Sequence, residues 1–155
     1  MTTQIPITES KQTSDLYEED YHLWLMNTIH QLQHGKLAEV DRVNLIEELE
    51  AMGRSQKSAI ESNLRILLMH LLKYKYQSDK RTNSWLFTIR EHRKRLRNDF
   101  KSSPSLKRYF LEVFQESYQD ARELAADETG LSINTFPVES PFSQEDTLNP
   151  DYLPE

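Results

Sequence analysis

The residues with chemistry to offer are carboxylates and imidazoles at helical spacing. Glu19-x-x-His22 has the i, i+3 spacing with which di-iron carboxylate bundles hold metal. Such a site needs a second Glu-x-x-His and two further Glu. The chain has no second pair, so an exposed first-turn pair is the better reading. His30 and His34, four apart, could share a metal. They also fall in the last turn before Gly35, where imidazole meets the negative end of a helix dipole, and that reading is preferred. Glu47, Glu48 and Glu50 concentrate charge, and carboxylate clusters hold Mg²⁺ in nucleases. Glu50 and Arg54 form an i, i+4 pair with Glu47 one turn back, which predicts a solvated, salt-bridged face. Glu48 flanks Leu45 and Met52 and is expected to be partly buried and paired. Asp20 falls between Tyr17 and Trp24 on the expected buried side, where a carboxylate needs a partner such as Arg81 or Arg93. His70 and His92 read as core or rim histidines.

No glycine-rich phosphate loop, nucleophile elbow or zinc-protease motif is present. The absence of cysteine excludes thiol catalysis, a thiolate metal site and a disulfide scaffold. No cofactor and no resident metal are expected.

Charge is divided sharply along the 155 residues. The net charge is −6. Residues 1–64 hold 5 basic and 11 acidic side chains, residues 65–108 hold 13 and 3, and residues 109–155 hold 1 and 11. Arg90, Lys94, Arg97 and Lys101 recur at helical spacing and form one stripe about 16 Å long. It is centred roughly 130° from the Trp85–Ile89–Leu96 side and should face solvent. Glu112, Glu116, Asp120, Glu123 and Asp127 make an acidic stripe on the next helix. The plain reading of the basic stripe is a solvated face. The sharper one is a docking surface for phosphates or an acidic protein. The aromatic residues do not interleave with it, which argues against stacking on single-stranded bases.

These residues must be positioned by helices. Tyr17, Tyr21, Trp24, Leu25, Thr28 and Leu32 line one face of a first helix, opened by Asp15 with Glu18 and stopped by Gly35. Asp41 should cap a second, with Leu45, Leu49 and Met52 as its stripe and Gly53 as its end or kink. Ser55 should cap a third running to about Tyr76, apolar nearly all round in its second half and therefore central. Asn83 or Ser84 opens a fourth, lined by Trp85, Ile89, His92, Leu96 and Phe100. Ser103–Pro104 restarts a fifth, which buries Leu106, Phe110, Val113, Phe114, Ser117, Ala121 and Leu124 up to Gly130. Residues 131–155 hold four of the six prolines and should lie as an extended strap anchored by Phe136, Phe142, Leu148 and Tyr152, with one helical turn capped at Ser143. The expected architecture is an all-α bundle of four to five helices with a carboxyl-terminal strap. Residues 1–13 read as a flexible arm and 14–155 as one helical domain. The start lacks the pattern of a secretory signal, and the longest apolar run, Leu64 to Leu72, is too short to span a membrane. A cytoplasmic location is expected.

The string Tyr17-Glu-Glu-Asp20…Trp24, Asp41…Leu45-Ile-Glu-Glu-Leu-Glu50-Ala-Met-Gly-Arg-Ser55, Leu67-Leu-Met-His-Leu-Leu-Lys-Tyr74, Ser84-Trp85, Ser103-Pro-Ser-Leu106, Glu128-Thr-Gly130 and Phe136-Pro137 resembles a bacterial family of unknown function, numbered twenty-nine and abundant in cyanobacteria. The resemblance covers about residues 14–155. It implies an all-helical fold and brings no catalytic residues. Ser78 stands where the resemblance implies proline, so the loop before the fourth helix should be less rigid. Two functional readings follow. The first is a non-catalytic module that binds a protein partner through the Arg90–Lys101 stripe or the strap. The alternative is a nucleic-acid-associated protein, in its strongest form a metal-dependent nuclease using Asp20, Glu47 or Glu48 for Mg²⁺.

Overall fold

The computed structural model describes residues 16–155. The arm assigned to residues 1–13 and the cap assigned to Asp15 lie outside them. The described residues fold into helices and short 3-10 turns, and no strand occurs among them. The chain divides into two compact units, residues 1–54 and 55–155.

In the first unit, α1 (Tyr21–Gln33) starts on Asp20, whose carboxylate accepts a hydrogen bond from the Leu23 amide at 3.0 Å. Gly35 follows with a φ of +68°, a conformation that costs an L side chain and suits glycine. A 3-10 turn (Leu37–Glu39) leads to α2 (Arg42–Tyr76). Asp41 opens α2 by accepting from the Asn44 amide, and its other oxygen accepts from Trp24 Nε1 at 3.3 Å. Contacts of Tyr21 with Glu48 and of Trp24 with Asp41 make α1 and the start of α2 an antiparallel hairpin. Trp24 and Thr28 are the buried residues of α1. Tyr21 and Leu32, expected on its hidden face, are exposed, as are Leu49 and Met52 of the following stripe. Two helices meeting along one line can cover only the residues that face each other.

The helices expected over 41–53 and 55–76 are one continuous helix, α2. Gly53 has no positive φ, so it sits in the helix as an ordinary residue. Glycine there costs about 1 kcal/mol relative to alanine, less than the hydrogen bonds a break would forfeit.

In the second unit, Ile60, Leu64, Leu67, Leu68, Leu71 and Leu72 of α2 are fully buried, as their spacing requires. α3 (Asn83–Ser102) is capped one residue earlier than expected, by Thr82, whose hydroxyl accepts from the Trp85 amide. α4 (Leu106–Thr129) ends at Gly130, with φ +71°. Its buried side runs through Phe110, Phe114, Ser117, Tyr118, Ala121 and Ala125. Leu124 is exposed because Ala125 carries that register, and one residue is 100° of rotation. The carboxyl-terminal segment carries a 3-10 turn (Ile133–Thr135) and α5 (Gln144–Leu148), capped by Ser143. Phe136, Phe142 and Leu148 are buried against the core of this unit, and Tyr152 packs half-buried beside them. No helix among the described residues is long and apolar enough to cross a membrane.

A Cβ at Gly53 would meet nothing within 4 Å. Gly53→Ala should therefore stabilise the chain by about 1 kcal/mol, raising Tm by ~2–4 °C. A lowered Tm would show that the helix needs glycine at this point.

Candidate functional site

α3 carries the basic stripe on its solvent side. Arg90, Lys94, Arg97 and Lys101 are all exposed, and none of them makes an ion pair among the described residues. The stripe does not end on a flat face. Arg97 and Lys101 form one edge of an open groove of about 670 Å³. Phe100 and Phe110 contribute aromatic surface to it, and Lys107 at the start of α4 supplies a third cation. Lys107 Nζ lies 5.2 Å from the Phe100 ring centre and 5.6 Å from that of Phe110, within reach of the ring quadrupoles. The opposite wall is the carboxyl-terminal segment, through Gln144, Glu145, Leu148, Asn149 and Pro150. Glu145 is the one acid in this lining.

That wall is held by Arg93. It lies on α3 between the apolar register and the basic stripe, four residues before Arg97, and is only 3% exposed. Nε donates to the Thr147 carbonyl at 2.9 Å, one terminal nitrogen to Tyr152 at 2.7 Å and the other to Asp146 at 3.2 Å. Three carbonyls take the donors of one planar guanidinium, so segment 146–152 is set relative to α3 at three points. Burial pushes the Arg93 pKa below the usual arginine range, while Tyr152 and Asp146 act the other way. Arg81 adds a lighter tie, donating to the Tyr74 carbonyl at 2.7 Å and reaching Pro154 at 3.5 Å. The sequence offers Arg93 only as a partner for Asp20; the signal of its burial is its place four residues after Ile89 and three before Leu96. An arginine within an apolar register is itself the signal of a buried anchor.

A second buried cation went unread in the sequence. Lys73 is buried, with Nζ 2.5 Å from Glu128 and 4.5 Å from the Trp85 ring centre. His92 pairs with Asn63 at 2.8 Å, and His70 Nδ1 lies 2.9 Å from the Ile66 carbonyl. Burial lowers the pKa of both imidazoles, which keeps them neutral at pH 7.

The candidate acids do not converge. Asp20 is exposed and serves as the cap of α1, not as a buried carboxylate paired with Arg81 or Arg93. Glu47 is exposed and lies 3.2 Å from Arg54. Glu48 is half-buried and accepts from the hydroxyls of Tyr17 and Tyr21, each at 2.6 Å. These two donors hold the Glu48 carboxyl below its usual pKa, and the hydrogen bond to Glu48, with burial and the carboxylate's charge adding to it, pushes the Tyr17 hydroxyl up to about 12. No group of three or more His, Asp or Glu able to hold a metal lies among the described residues. His30 and His34 stack on each other with ring centres 4.1 Å apart, and His34 Nδ1 lies 2.8 Å from the His30 carbonyl. Glu19 and His22 are both exposed. The acidic stripe of α4 also faces solvent.

The model of the domain of unknown function DUF29 matches residues 16–153, nearly the whole chain. The chain belongs to the DUF29 family. No curated protein and no solved structure matches this DUF29 chain. Its function must therefore be argued from its own geometry.

Arg93→Met keeps the length of the side chain and removes every donor. Three carbonyls then lose a charged partner, and the chain should lose about 3 kcal/mol or more in denaturant unfolding. A loss below ~1 kcal/mol would mean that the segment is held by its apolar anchors alone.

Stability from Glu48 is present above its ordinary pKa of 4.5 and is lost as pH falls through the lowered folded value. The contribution of Tyr17 is present below 10 and lost as pH rises towards about 12. Glu48→Gln should return the Tyr17 ionisation towards 10 in a phenolate absorbance titration. An unchanged titration would show that the hydroxyl does not rest on this carboxylate.

Proposed function

We propose that this chain is a non-catalytic binding module, acting in the cytoplasm, that takes an acidic segment of a protein partner in the groove between α3, α4 and the carboxyl-terminal segment. The observation that carries this reading is the set of three cations, Arg97, Lys101 and Lys107, arranged around aromatic surface with no ion pair to a carboxylate. A free cation beside buried apolar surface is a mixed recognition site. It favours a carboxylate or phosphate on the ligand, and Phe100 with the exposed Leu111 favours an apolar side chain next to it. Arg90 and Lys94 extend the positive potential along α3 and would steer an acidic ligand towards the groove.

Nucleic acid is the other ligand such a stripe suggests, and a metal-dependent nuclease the other class of function. The geometry gives that reading less support. Asp20, Glu47 and Glu48 each have a different local partner, and the net charge of −6 would repel a long polyanion.

Selection from a displayed random-peptide library against the full chain tests the proposal. Enriched peptides should be acidic with an adjacent apolar residue. Arg97→Glu with Lys101→Glu should weaken them at least ~10-fold, as should raised salt, while helical dichroism is unchanged. Failure to enrich acidic peptides would contradict the reading. Oligonucleotide binding removed by the same two substitutions, with a steep salt dependence, would replace it with the nucleic-acid role.

A further inference from the structure

The α1–α2 hairpin leaves uncovered the apolar residues whose spacing predicts burial. On α1, Tyr21, Met26, Ile29 and Leu32 are each close to half exposed. On the start of α2, Ile46, Leu49 and Met52 are more than half exposed. At 100° per residue, the four on α1 lie about 40–180° from the buried Trp24–Thr28 direction. Those on α2 lie about 60–180° from the Asn44–Glu48 direction, rotated in the same sense. The helices run antiparallel, so the same sense of rotation brings both sets to the same side of the hairpin. They form one apolar face, with half-buried Leu25 and Leu45 along its middle.

We propose that this face is covered by the same face of a second copy of the chain, forming a two-fold dimer through a four-helix bundle. Three observations select that occupant. The seven exposed side chains present roughly 700 Å² at ~200 Å² per large side chain, close to the ~800 Å² per partner of a stable interface. The hairpin also has little core of its own: Trp24 and Thr28 are the buried residues of α1 and none is buried in the stretch 42–54, and so small a core calls for a disulfide, a metal or a partner chain. It has no cysteine, and no metal-holding group lies among the described residues. Finally, the occupant must itself present a comparable apolar surface. Among the described residues outside the hairpin, the exposed large apolar side chains are scattered: Leu86 and Phe87 on α3, Leu111 and Leu124 on α4, and single residues of the carboxyl-terminal segment. The face that matches this one is its own copy. An isologous pairing also buries each residue type twice and needs no charge complementarity, as expected of permanent homodimers.

Sedimentation equilibrium of the full chain, from low micromolar to sub-millimolar, tests this directly. The expected mass is twice 18.4 kDa at the upper end. Ile46→Glu with Leu49→Glu should raise the dimer dissociation constant by about 100-fold or more while helical dichroism is kept. Val43→Glu should leave it unchanged, because Val43 is 80% exposed and lies off this face. A native chain that stays at 18.4 kDa throughout overturns the proposal, as does a folded double variant that still dimerises. Should the double variant unfold, Leu49→Cys carrying a polarity-sensitive dye still decides. A blue shift that grows with concentration supports the dimer. One present at every dilution places the amino-terminal segment or the second unit of the same chain there, and no shift leaves the face open; either result overturns it. None of these substitutions touches the groove, so the two proposals fail separately.

Discussion

The second unit depends on a buried guanidinium. Arg93 carries its charge into an apolar interior and is satisfied there by three backbone carbonyls of the carboxyl-terminal segment. Those carbonyls belong to the end of α5 and the residues after it; Asp146 also accepts from the Asn149 amide, while no backbone donor to the Thr147 and Tyr152 oxygens occurs among the described residues. The cation gains acceptors and the helix end gains donors. A segment rich in proline builds only short turns of its own, so its position on the unit comes largely from side chains of the elements beneath it. Arg93 supplies the polar half of that attachment. Phe136, Phe142 and Leu148 supply the apolar half.

The groove follows from this attachment. Arg97 and Lys101 lie one and two turns beyond Arg93, about 40° and 80° further round α3 towards solvent. The helix that grips the segment from beneath thus offers its cations beside the wall the segment forms. Remove the grip and the cations become an ordinary solvated stripe. Chemistry and architecture therefore meet in α3, which buries one positive charge to fix the wall and leaves five exposed, four of them without an ion pair among the described residues.

Much of the fold was legible in residue spacing. The α2 core, the caps at Asp41 and Ser143, the stops at Gly35 and Gly130 and the aromatic anchors of the strap all rest on local rules that tertiary contacts did not overrule. Gly53 misled because helix interruption depends on the hydrogen bonds on both sides of a glycine, and these held. Asp20 misled because its place in the apolar register was read as burial when its side chain turns back to cap the next turn. Leu49 and Met52 misled in a more useful way: periodicity reports that a face is to be hidden, not what hides it. Of the groove, Arg97 and Lys101 were visible as charge at helical spacing. Lys107 and the Gln144–Pro150 wall were not, because they approach from distant parts of the chain.

The claim that Arg93 fixes the carboxyl-terminal segment is tested most directly by native-state hydrogen exchange of the amides from 144 to 152. If the segment is pinned to α3, those with backbone partners, such as Thr147 and Asn149, should exchange at rates approaching the slow amides of α3. Exchange as fast as in an unstructured peptide, while α3 remains protected, would show a strap that merely rests on the surface and would remove the groove with it.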